Sequence, residues 1–179
     1  AMSQPSPPAP AKLVIGFFLR DRDLAASVIG SLVERFGAID LVSQWMPFDY
    51  TAYYAKEMGQ PLFRRLVAFR KLVAQTALAA IKVSTNRIEQ KLMQASRRRV
   101  NIDPGYLLAE RFELASGKNF SHRIYLDQGI YADLTLLFER GRFKSLPWTY
   151  PDYGDAPVQS FLQKVRRKYV VDLQRTTEA

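Results

Sequence analysis

Cysteine is absent from this chain of 179 residues, and histidine occurs only once, at His122. The absence of cysteine excludes disulfide frameworks, thiolate zinc sites, iron–sulfur clusters and cysteine nucleophiles. With one histidine, a metal site would need a loop of closely spaced carboxylates, and the Asp and Glu residues form no such loop. The sequence therefore predicts no metal and no other cofactor.

Long apolar runs are also missing. No run approaches the roughly 18 residues that a membrane-spanning helix needs. The opening segment, AMSQPSPPAPAK, lacks the apolar core of a signal peptide. We therefore expect a cytoplasmic protein without a membrane partner.

The common nucleotide and hydrolase motifs are missing as well. The chain has no G-x-G-x-x-G and no G-x-S-x-G, so dinucleotide binding and the usual serine-hydrolase elbow lack support. Gly117-Lys118 is not a phosphate-binding loop, because Phe112 stands where that motif has its first glycine and Asn119 where it has Ser or Thr.

What the chain has in excess is positive charge. It contains 26 Lys and Arg residues against 17 Asp and Glu, a formal net charge of +9. This excess favours an anionic partner such as nucleic acid or a phosphorylated metabolite, although a basic surface that serves only solubility has the same composition. Apolar residues make up 47% of the chain, which is typical of a folded protein, and the length fits a single domain.

The first predicted elements are a strand and a helix. KLVIGFFL, residues 12–19, is a continuous apolar run, which predicts a strand buried on both faces at the centre of a sheet. In the segment 24–36 the apolar residues share one helical face, so we predict a helix that Asp21 or Asp23 caps and Gly37 ends.

Three more strands and a second helix are predicted before residue 104. Segments 38–46 and 62–73 have the composition of strands. In 76–95 the spacing of three and four predicts a helix with one buried seam. Its seam residues are Leu78, Ile81, Thr85, Ile88, Leu92 and Ala95. VNID, residues 100–103, reads as a strand that the turn dipeptide Pro104-Gly105 closes.

The C-terminal third predicts a β-meander and a helix. The strands HRIYL, IYADLTLLFE and RFKSL are separated by turns at 127–129 and 140–141. A loop rich in Pro and Tyr then leads to a helix that Asp155 caps, with its apolar residues on one side. These are Phe161, Leu162, Val165, Tyr169 and Leu173.

This element order predicts an α+β protein with one domain over residues 12–173. Strand, helix, two strands, helix and strand is the order of a ferredoxin-like βαββαβ core, here extended by the antiparallel β-meander and the C-terminal helix. Residues 1–11 and 174–179 are predicted to be disordered tails, since the first of them has four prolines and little to bury.

His122 and Arg123 open the meander. Strand alternation predicts that their side chains point to opposite faces, so they would not form a simple catalytic pair. Alternation also places Ile130, Ala132, Leu134, Leu136 and Phe138 on a core face. Arg123 is then expected on the polar face, near Tyr131 and Asp133, with His122 at the mouth of the strand. For Arg123, a cross-strand pair with Asp133 and anion binding both stay open.

Two further polar groups have alternative interpretations. Lys82, Asn86 and Glu89 form a ridge along the second helix, and such ridges are usually solvated. The loops around 50–54 and 148–153 are rich in tyrosine, and loops of this kind either close a pocket or simply pack on the core. Packing is the more common role.

Several long blocks of the chain resemble a known bacterial family. The blocks are PFDYTAYYAKEMGQPLFRR, IKVSTNRIE, RRRVNIDPGYL, SHRIYLDQGIYADLTL and LPWTYPDY, and they resemble domain-of-unknown-function family 4416 over residues 12–170. The resemblance implies a single-domain bacterial protein and transfers no activity. It also implies a shared set of polar and aromatic positions, which suggests a pocket, although a structural hydrogen-bond network would give the same set. These positions are Glu57, Lys82, Asn86, Asp103, Tyr106, His122, Arg123, Tyr125, Trp148 and Tyr150.

Our leading hypothesis is a pocket that binds a small anionic ligand, which leaves open whether the protein is an enzyme. Arg123 and Lys82 would hold the anion, while His122 with Asp103 or Glu57 would be the acid and base candidates. The other expected ligand-binding residues are Asn86, Tyr106, Tyr125, Tyr131, Trp148 and Tyr150. The "PWTYPDY" loop and Asp103 are expected to close over the same region.

Two alternatives belong to different classes. A nucleic-acid-binding domain would use the basic surface and exposed tyrosines, and a scaffold would bind no ligand at all. The sequence does not predict the oligomeric state.

Overall fold

A computed structural model describes residues 2–177, and side chains through Arg175. The strands are β1 (Ala11–Leu19), β2 (Ile39–Val42), β3 (Met46–Pro47), β4 (Phe63–Val73), β5 (Val100–Leu107), β6 (Arg111–Ser116), β7 (Arg123–Asp127), β8 (Ile130–Glu139) and β9 (Arg142–Ser145). The helices are α1 (Ala25–Phe36), α2 (Ala55–Met58), α3 (Leu78–Lys91), α4 (Pro151–Gly154) and α5 (Ala156–Thr177). Single 3-10 turns at Arg22–Leu24 and Gln75–Ala77 precede α1 and α3.

The nine strands form one antiparallel sheet, so the protein is α+β, as predicted. The strand order is β2-β4-β1-β5-β6-β8-β7, with β3 paired to β4 and β9 paired to β8. β1 lies between β4 and β5, and all of its residues are buried, which confirms the central strand. A continuous apolar run suits this position because a central strand covered on both faces has no side exposed to water.

The first two predicted helices are present near their expected bounds, as α1 and α3. The side chain of Asp21 accepts a hydrogen bond from the Asp23 amide ahead of α1, and Gly37 ends that helix at a φ of 89°. The α3 seam is confirmed from Leu78 to Ile88, since its residues there are buried. Ala95 lies beyond α3 in a turn at a positive φ, so its predicted place in the seam is wrong.

The predicted turn at Pro104-Gly105 is wrong, because β5 continues through both residues to Leu107. β5 pairs with β6 only from Gly105 onward, so its first half has β1 on one side and no strand on the other. Alternate residues of a strand point their backbone groups to the same side, so the missing N–H of Pro104 falls on the side without a partner strand. Gly105 is required because a Cβ there would lie 2.4 Å from the Glu113 carbonyl oxygen.

The meander is present as β7, β8 and β9. Its turns are two residues long, with positive φ at Gln128-Gly129 and at Arg140-Gly141, the conformation that joins antiparallel strands tightly. The predicted core face of β8 is only partly right. Ile130 and Leu136 are buried, but so are Asp133 and Thr135, which alternation placed on the polar face. Neither face of β8 is therefore simply the core or simply solvated.

The C-terminal helix α5 packs against the start of β1. The Tyr169 hydroxyl donates to the Pro10 carbonyl oxygen at 2.7 Å, and the fully buried Lys12 ammonium donates to Asp40 at 2.6 Å and Asp172 at 3.3 Å. α5 continues to Thr177, past the domain end predicted at 173. Ala1 and residues 178–179 of the predicted tails lie outside the described residues.

Candidate functional site

A cavity of about 730 Å³ opens beside the unpaired half of β5. Its walls come from α3, β5, the end of β6 and two loops, residues 48–54 and 150–153. The charged residues that line it are Lys82, Glu89, Arg98, Asp103, Lys118, Arg123, Asp133 and Asp152. Such a volume is within the range of small-molecule sites, although this wall is more charged than most.

The polar ridge of α3 forms one wall of the cavity. Glu89 accepts a hydrogen bond from the Ile102 amide at 2.6 Å, and Lys82 donates to the Ile102 carbonyl oxygen at 3.0 Å. These two side chains satisfy the backbone of β5 where no strand pairs with it. The expectation that the ridge is solvated is wrong for Glu89, which is 8% exposed. Burial raises the pKa of its carboxyl group, while the Ile102 amide acts in the opposite direction.

Asp103 lies on β5. Among the three aspartates that line the cavity and form ion pairs, it has the most exposed side chain. Its Oδ2 accepts from Asn101 Nδ2 at 2.8 Å, and its Oδ1 lies 3.5 Å from the Lys82 ammonium. Its side chain is 35% exposed, against 4% for that of Asp133 and 10% for that of Asp152. A molecule that enters the cavity can therefore contact Asp103 without breaking a buried pair.

A buried ion pair joins Arg64 of β4 to Asp152 of α4. The guanidinium carbon of Arg64 also lies 4.4 Å from the centre of the Tyr153 ring. Gly16 leaves space for the Arg64 side chain, because a Cβ at this position would lie 2.9 Å from Leu66 and 3.3 Å from Arg64. Burial raises the pKa of Asp152 even though Arg64 acts to lower it, and burial likewise raises the pKa of Tyr153. The pair fixes α4 against the sheet.

Asp133 has two side-chain partners at the edge of the cavity, Arg123 and His122. Arg123 Nε donates to Asp133 Oδ2 at 2.8 Å, and His122 Nε2 lies 3.2 Å from the same oxygen. The prediction that His122 and Arg123 point to opposite faces is therefore wrong. His122 precedes β7, in a turn that the Arg123 amide closes on the Phe120 carbonyl oxygen at 3.1 Å, so strand alternation does not apply to it.

Arg123 is placed on the polar face, as alternation predicted. β7 pairs Arg123 with Asp133 and Tyr125 with Tyr131. The guanidinium donates further to the Lys118 carbonyl oxygen at 2.9 Å and to the Tyr150 hydroxyl at 2.8 Å. Burial acts to lower the pKa of Arg123, but the hydrogen bonds and charges of Asp133 and Tyr150 together outweigh it and raise that pKa. The cross-strand pair exists and the cavity lies beside it, so both interpretations of Arg123 stay open.

The two tyrosine-rich loops close over the cavity from one side. Phe18 stacks on Phe48 with ring centres 4.0 Å apart, and Tyr54 meets Phe18 edge-on at 4.8 Å. Burial raises the pKa of Tyr54 to about 12. The Tyr50 hydroxyl donates to Asp155, which ties the first loop to the start of α5. The loops therefore both pack together and line the cavity.

Lys118 is the exception among the cavity cations. Its ammonium lies 5.3 Å from the centre of the Tyr53 ring, and among the described residues no carboxylate lies within 4.0 Å of it. Lys82, Arg98 and Arg123 each have such a partner. The cavity thus has one cation without an ion-pair partner among the described residues.

The structure brings together five of the residues predicted for the site. Those that line the cavity are Lys82, Asn86, Asp103, Arg123 and Tyr150. The remaining predicted residues lie outside this lining, and they are Glu57, Tyr106, His122, Tyr125, Tyr131 and Trp148. Glu57 binds Arg98 through both carboxylate oxygens.

The other residues outside the lining have structural contacts. Tyr106 is buried and donates to the Ala74 carbonyl oxygen at 2.8 Å. His122 stacks on Trp148 with ring centres 5.0 Å apart, and Trp148 donates to the Leu134 carbonyl oxygen at 2.7 Å.

Sequence reasoning missed several of the charged residues in and beside the cavity. Arg64 had a usable signal, because in β4 it alternates with Leu66 and Ala68, which are fully buried, and a cation on a buried strand face requires a partner. Asp152 had no comparable signal, since it lies in a segment rich in Pro and Tyr. The tertiary fold alone brings it to the cavity.

The fold and the cavity define an α+β protein with a charged, tyrosine-lined site. Residues 9–169 match the family model described as Domain of unknown function (DUF4416). Because the match covers most of the chain, the protein belongs to this family, as the resemblance of its blocks predicted. No curated protein and no solved structure matches the chain.

Two findings bear on metals and membranes. Within residues 2–177, no group of three or more His, Asp or Glu side chains is placed to hold a metal ion. No helix in the same part of the chain is long and apolar enough to cross a membrane. The cytoplasmic location stays a prediction.

Proposed function

We propose that the cavity beside β5 binds a small anionic ligand. The observation that carries this proposal is the ammonium of Lys118, which has no carboxylate within 4.0 Å among the described residues and belongs to a residue whose backbone carbonyl binds the Arg123 guanidinium in the same cavity lining. A charge without a partner in a protein whose other cavity cations are paired is available to an incoming anion.

The anionic group would bind between Lys118 and Arg123. Arg123 uses one N–H of each of its three nitrogens on Asp133, Lys118 and Tyr150, so two of its five N–H groups are left to donate. Lys82, which the sequence suggested as the second anion ligand, already donates to Ile102 and lies near Asp103. We therefore assign Lys82 to shaping the wall.

The rest of the ligand would extend toward Asp103 and Asn86. Both line the cavity, and an open carboxylate and an amide recognise hydroxyl or amine groups. The aromatic wall of Phe48 and Tyr54 favours a ring or an apolar edge on the other side. This combination suits a small polar molecule that carries one anionic group.

Asp103 is our candidate for the acid or base of any reaction in the cavity. His122 and Glu57, the other two candidates from the sequence, lie outside its lining and are held by Asp133 and Arg98. A group that transfers a proton must come within hydrogen-bonding distance of the reacting atom, and Asp103 alone among the three faces the cavity.

The test is a titration with inorganic phosphate, followed by NMR on ¹⁵N-labelled protein. We expect the signals of the Gly117 and Lys118 amides and of Arg123 Nε to shift with phosphate but not with chloride at equal ionic strength. Lys118→Ala should abolish the Arg123 shift, whereas Lys71→Ala, which removes an exposed lysine of β4, should retain it.

Either of two results would overturn the proposal. One is that phosphate leaves these three signals unchanged, and the other is that Lys118→Ala responds as strongly as the wild type. Arg123→Ala is not a clean test, because it leaves the buried Asp133 without its main partner and threatens the fold. His122→Ala should keep most of the response, since His122 does not line the cavity.

We also propose that the first half of the chain is a ferredoxin-like core. The four strands of this core are β1, β2, β4 and β5. They lie in the order β2-β4-β1-β5, and each neighbouring pair is antiparallel. Arg35 of α1 donates to Ser84 of α3 at 3.3 Å, which places both helices on the same face of the sheet. Superposition of an experimental structure on solved ferredoxin-like domains would test this, and helices on opposite faces would contradict it.

A further inference from the structure

A second cavity of about 430 Å³ lies beyond the end of β1 and the start of β5, and it shares Arg98 with the cavity beside the unpaired half of β5. Three segments converge on it: the residues after β1, the short helix α2 with Gly59, and the turn 94–99 before β5. We call this the basic cleft. Its charged lining residues are Arg20, Asp21, Lys56, Glu57, Arg97, Arg98 and Arg99.

The basic cleft has more cations than its carboxylates can neutralise. Arg98 pairs with Glu57 at 2.6 Å, and Arg99 pairs with Asp21 at 3.3 Å. The three other cations are Arg20, Lys56 and Arg97. Among residues 2–175, whose side chains are described, no carboxylate lies within 4.0 Å of any of the three. The cleft therefore presents three positive charges without counter-charges.

Arg20 lies against the backbone of Gly59 although it has no counter-charge. Its guanidinium lies over Gly59, where a Cβ would be 2.9 Å from Arg20 Nη1 and 3.2 Å from its Cδ. Gly59 has a φ of +79°, a conformation that suits glycine and costs most other residues free energy. The backbone thus provides a surface for Arg20 that a side chain at position 59 would occupy.

We propose that the basic cleft binds a phosphate-bearing anion with two or more negative charges. A guanidinium offers paired N–H donors that match the oxygens of a phosphate, and two arginines with a lysine can contact adjacent phosphates. An exposed cluster of cations without this geometry would serve solubility alone. What distinguishes the cleft from such a surface is that Arg20 lies against Gly59 and lines the same cavity as Arg97 and Lys56.

The first experiment measures pyrophosphate binding by isothermal titration calorimetry at low ionic strength. Arg20→Ala combined with Arg97→Ala should weaken binding at least tenfold. The matched control is Arg70→Ala combined with Lys71→Ala, which removes the same charge from exposed positions of β4 and should change the dissociation constant less than twofold. Equal weakening in both double variants would overturn the proposal, because net charge alone would then explain binding.

A second pair of variants tests the geometry without changing the charge. Gly59→Ala should displace Arg20 and weaken pyrophosphate binding severalfold, and Arg20→Lys should do the same by removing the paired donors. Arg20 is exposed, so Arg20→Lys should fold even if Gly59→Ala does not. Wild-type affinity in Arg20→Lys would overturn the proposal.

A second probe, a single-stranded RNA of twelve nucleotides, tells whether the bound phosphate belongs to a nucleic acid or to a small phosphorylated ligand. Tighter binding of the RNA, with an affinity that falls steeply with salt and with Arg20→Ala, would identify a nucleic-acid backbone. Binding of pyrophosphate alone would identify a small phosphorylated ligand. If neither probe binds, the proposal is wrong.

Lys118→Ala distinguishes binding in the basic cleft from binding at the anion site proposed in the larger cavity. It should leave pyrophosphate binding at the cleft unchanged, as followed through the amide signals of Gly59 and Arg97. Loss of those shifts in Lys118→Ala would mean that the anion binds in the larger cavity and not in the cleft.

Discussion

The two cavities contain the same kinds of charged residue but arrange them differently. In the cavity beside β5, Lys82, Arg98 and Arg123 each have a carboxylate within 4.0 Å. In the basic cleft, Arg20 and Lys56 have none among the described residues. The first arrangement uses charge to shape a site, and the second leaves charge available at the surface.

Burial explains the difference. The Arg64 and Asp152 side chains are 3% and 10% exposed, so an unpaired charge at either position would lose its hydration without compensation. Arg20 and Arg97 are exposed, and water solvates them whether or not they have a partner. Pairing is therefore required at the buried positions in and beside the larger cavity, whereas at exposed positions such as Lys118 and the cations of the cleft an absence of partners costs the fold little.

The largest predicted effect comes from breaking the buried pair. Arg64→Ala should lower the free energy of unfolding by about 3–5 kcal/mol, because it leaves the Asp152 carboxylate buried without its partner. Chemical denaturation of the wild type and the variant measures the change.

A double variant serves as the control for this prediction. Arg64→Met with Asp152→Leu removes both charges and should be more stable than Arg64→Ala alone. If Arg64→Ala unfolds at nearly the same denaturant concentration as the wild type, the pair is more hydrated than the structure indicates.

The next effect concerns the wall between α3 and β5. Glu89→Ala should destabilise the protein by about 1–3 kcal/mol, because the Ile102 amide loses its acceptor on the side of β5 where no strand pairs. Hydrogen exchange of the Ile102 amide should accelerate in the variant. Unchanged protection would mean that another group accepts this hydrogen bond.

The same comparison shows what the sequence could predict. β1, α1 and the meander were predictable because their apolar spacing matches a period of a strand or a helix over many residues. The continuation of β5 past residue 103 was not, since Pro104-Gly105 is typical of a turn and only the missing neighbour of β5 makes proline acceptable there. The local preference of Pro104-Gly105 for a turn is thus overridden by the tertiary position of β5.

The site was less predictable than the fold. Arg123 was placed correctly because it lies within a regular strand, whereas His122 was misplaced because it lies one residue before that strand begins. The pairing of Arg64 with Asp152 spans 88 residues of sequence, and no periodic pattern links them. Contacts of this kind depend on how the loops pack, which a single sequence does not encode locally.

A smaller, pH-dependent effect separates the charge of Glu89 from its hydrogen bond. Glu89→Gln keeps an acceptor for the Ile102 amide and removes a carboxyl group whose pKa burial raises. A carboxyl with a raised pKa in the fold binds its proton more tightly there than in the unfolded chain, so the wild type loses stability as pH rises above the ordinary value of 4.5 through the raised pKa.

The wild type should therefore lose stability relative to Glu89→Gln as pH rises across that window. The measured quantity is the difference between their free energies of unfolding. Denaturation of both proteins at several pH values on either side of 4.5 measures it. A gap that is constant with pH would show that Lys82 and the Ile102 amide compensate the buried charge fully.

The smallest effects are expected where charges have no partner. Arg97→Ala in the cleft and Lys118→Ala in the larger cavity should each change the free energy of unfolding by less than about 0.5 kcal/mol, because both side chains are exposed and neither leaves a carboxylate unpaired. Lys118 is the informative case, since it lies in the larger cavity but resembles the cleft in lacking a partner. A loss of stability of about 1 kcal/mol or more in Lys118→Ala would show that its contact with the Tyr53 ring holds the cavity mouth together. Lys118 would then be a structural residue like its neighbours, and the anion site proposed there would lose the observation on which it rests.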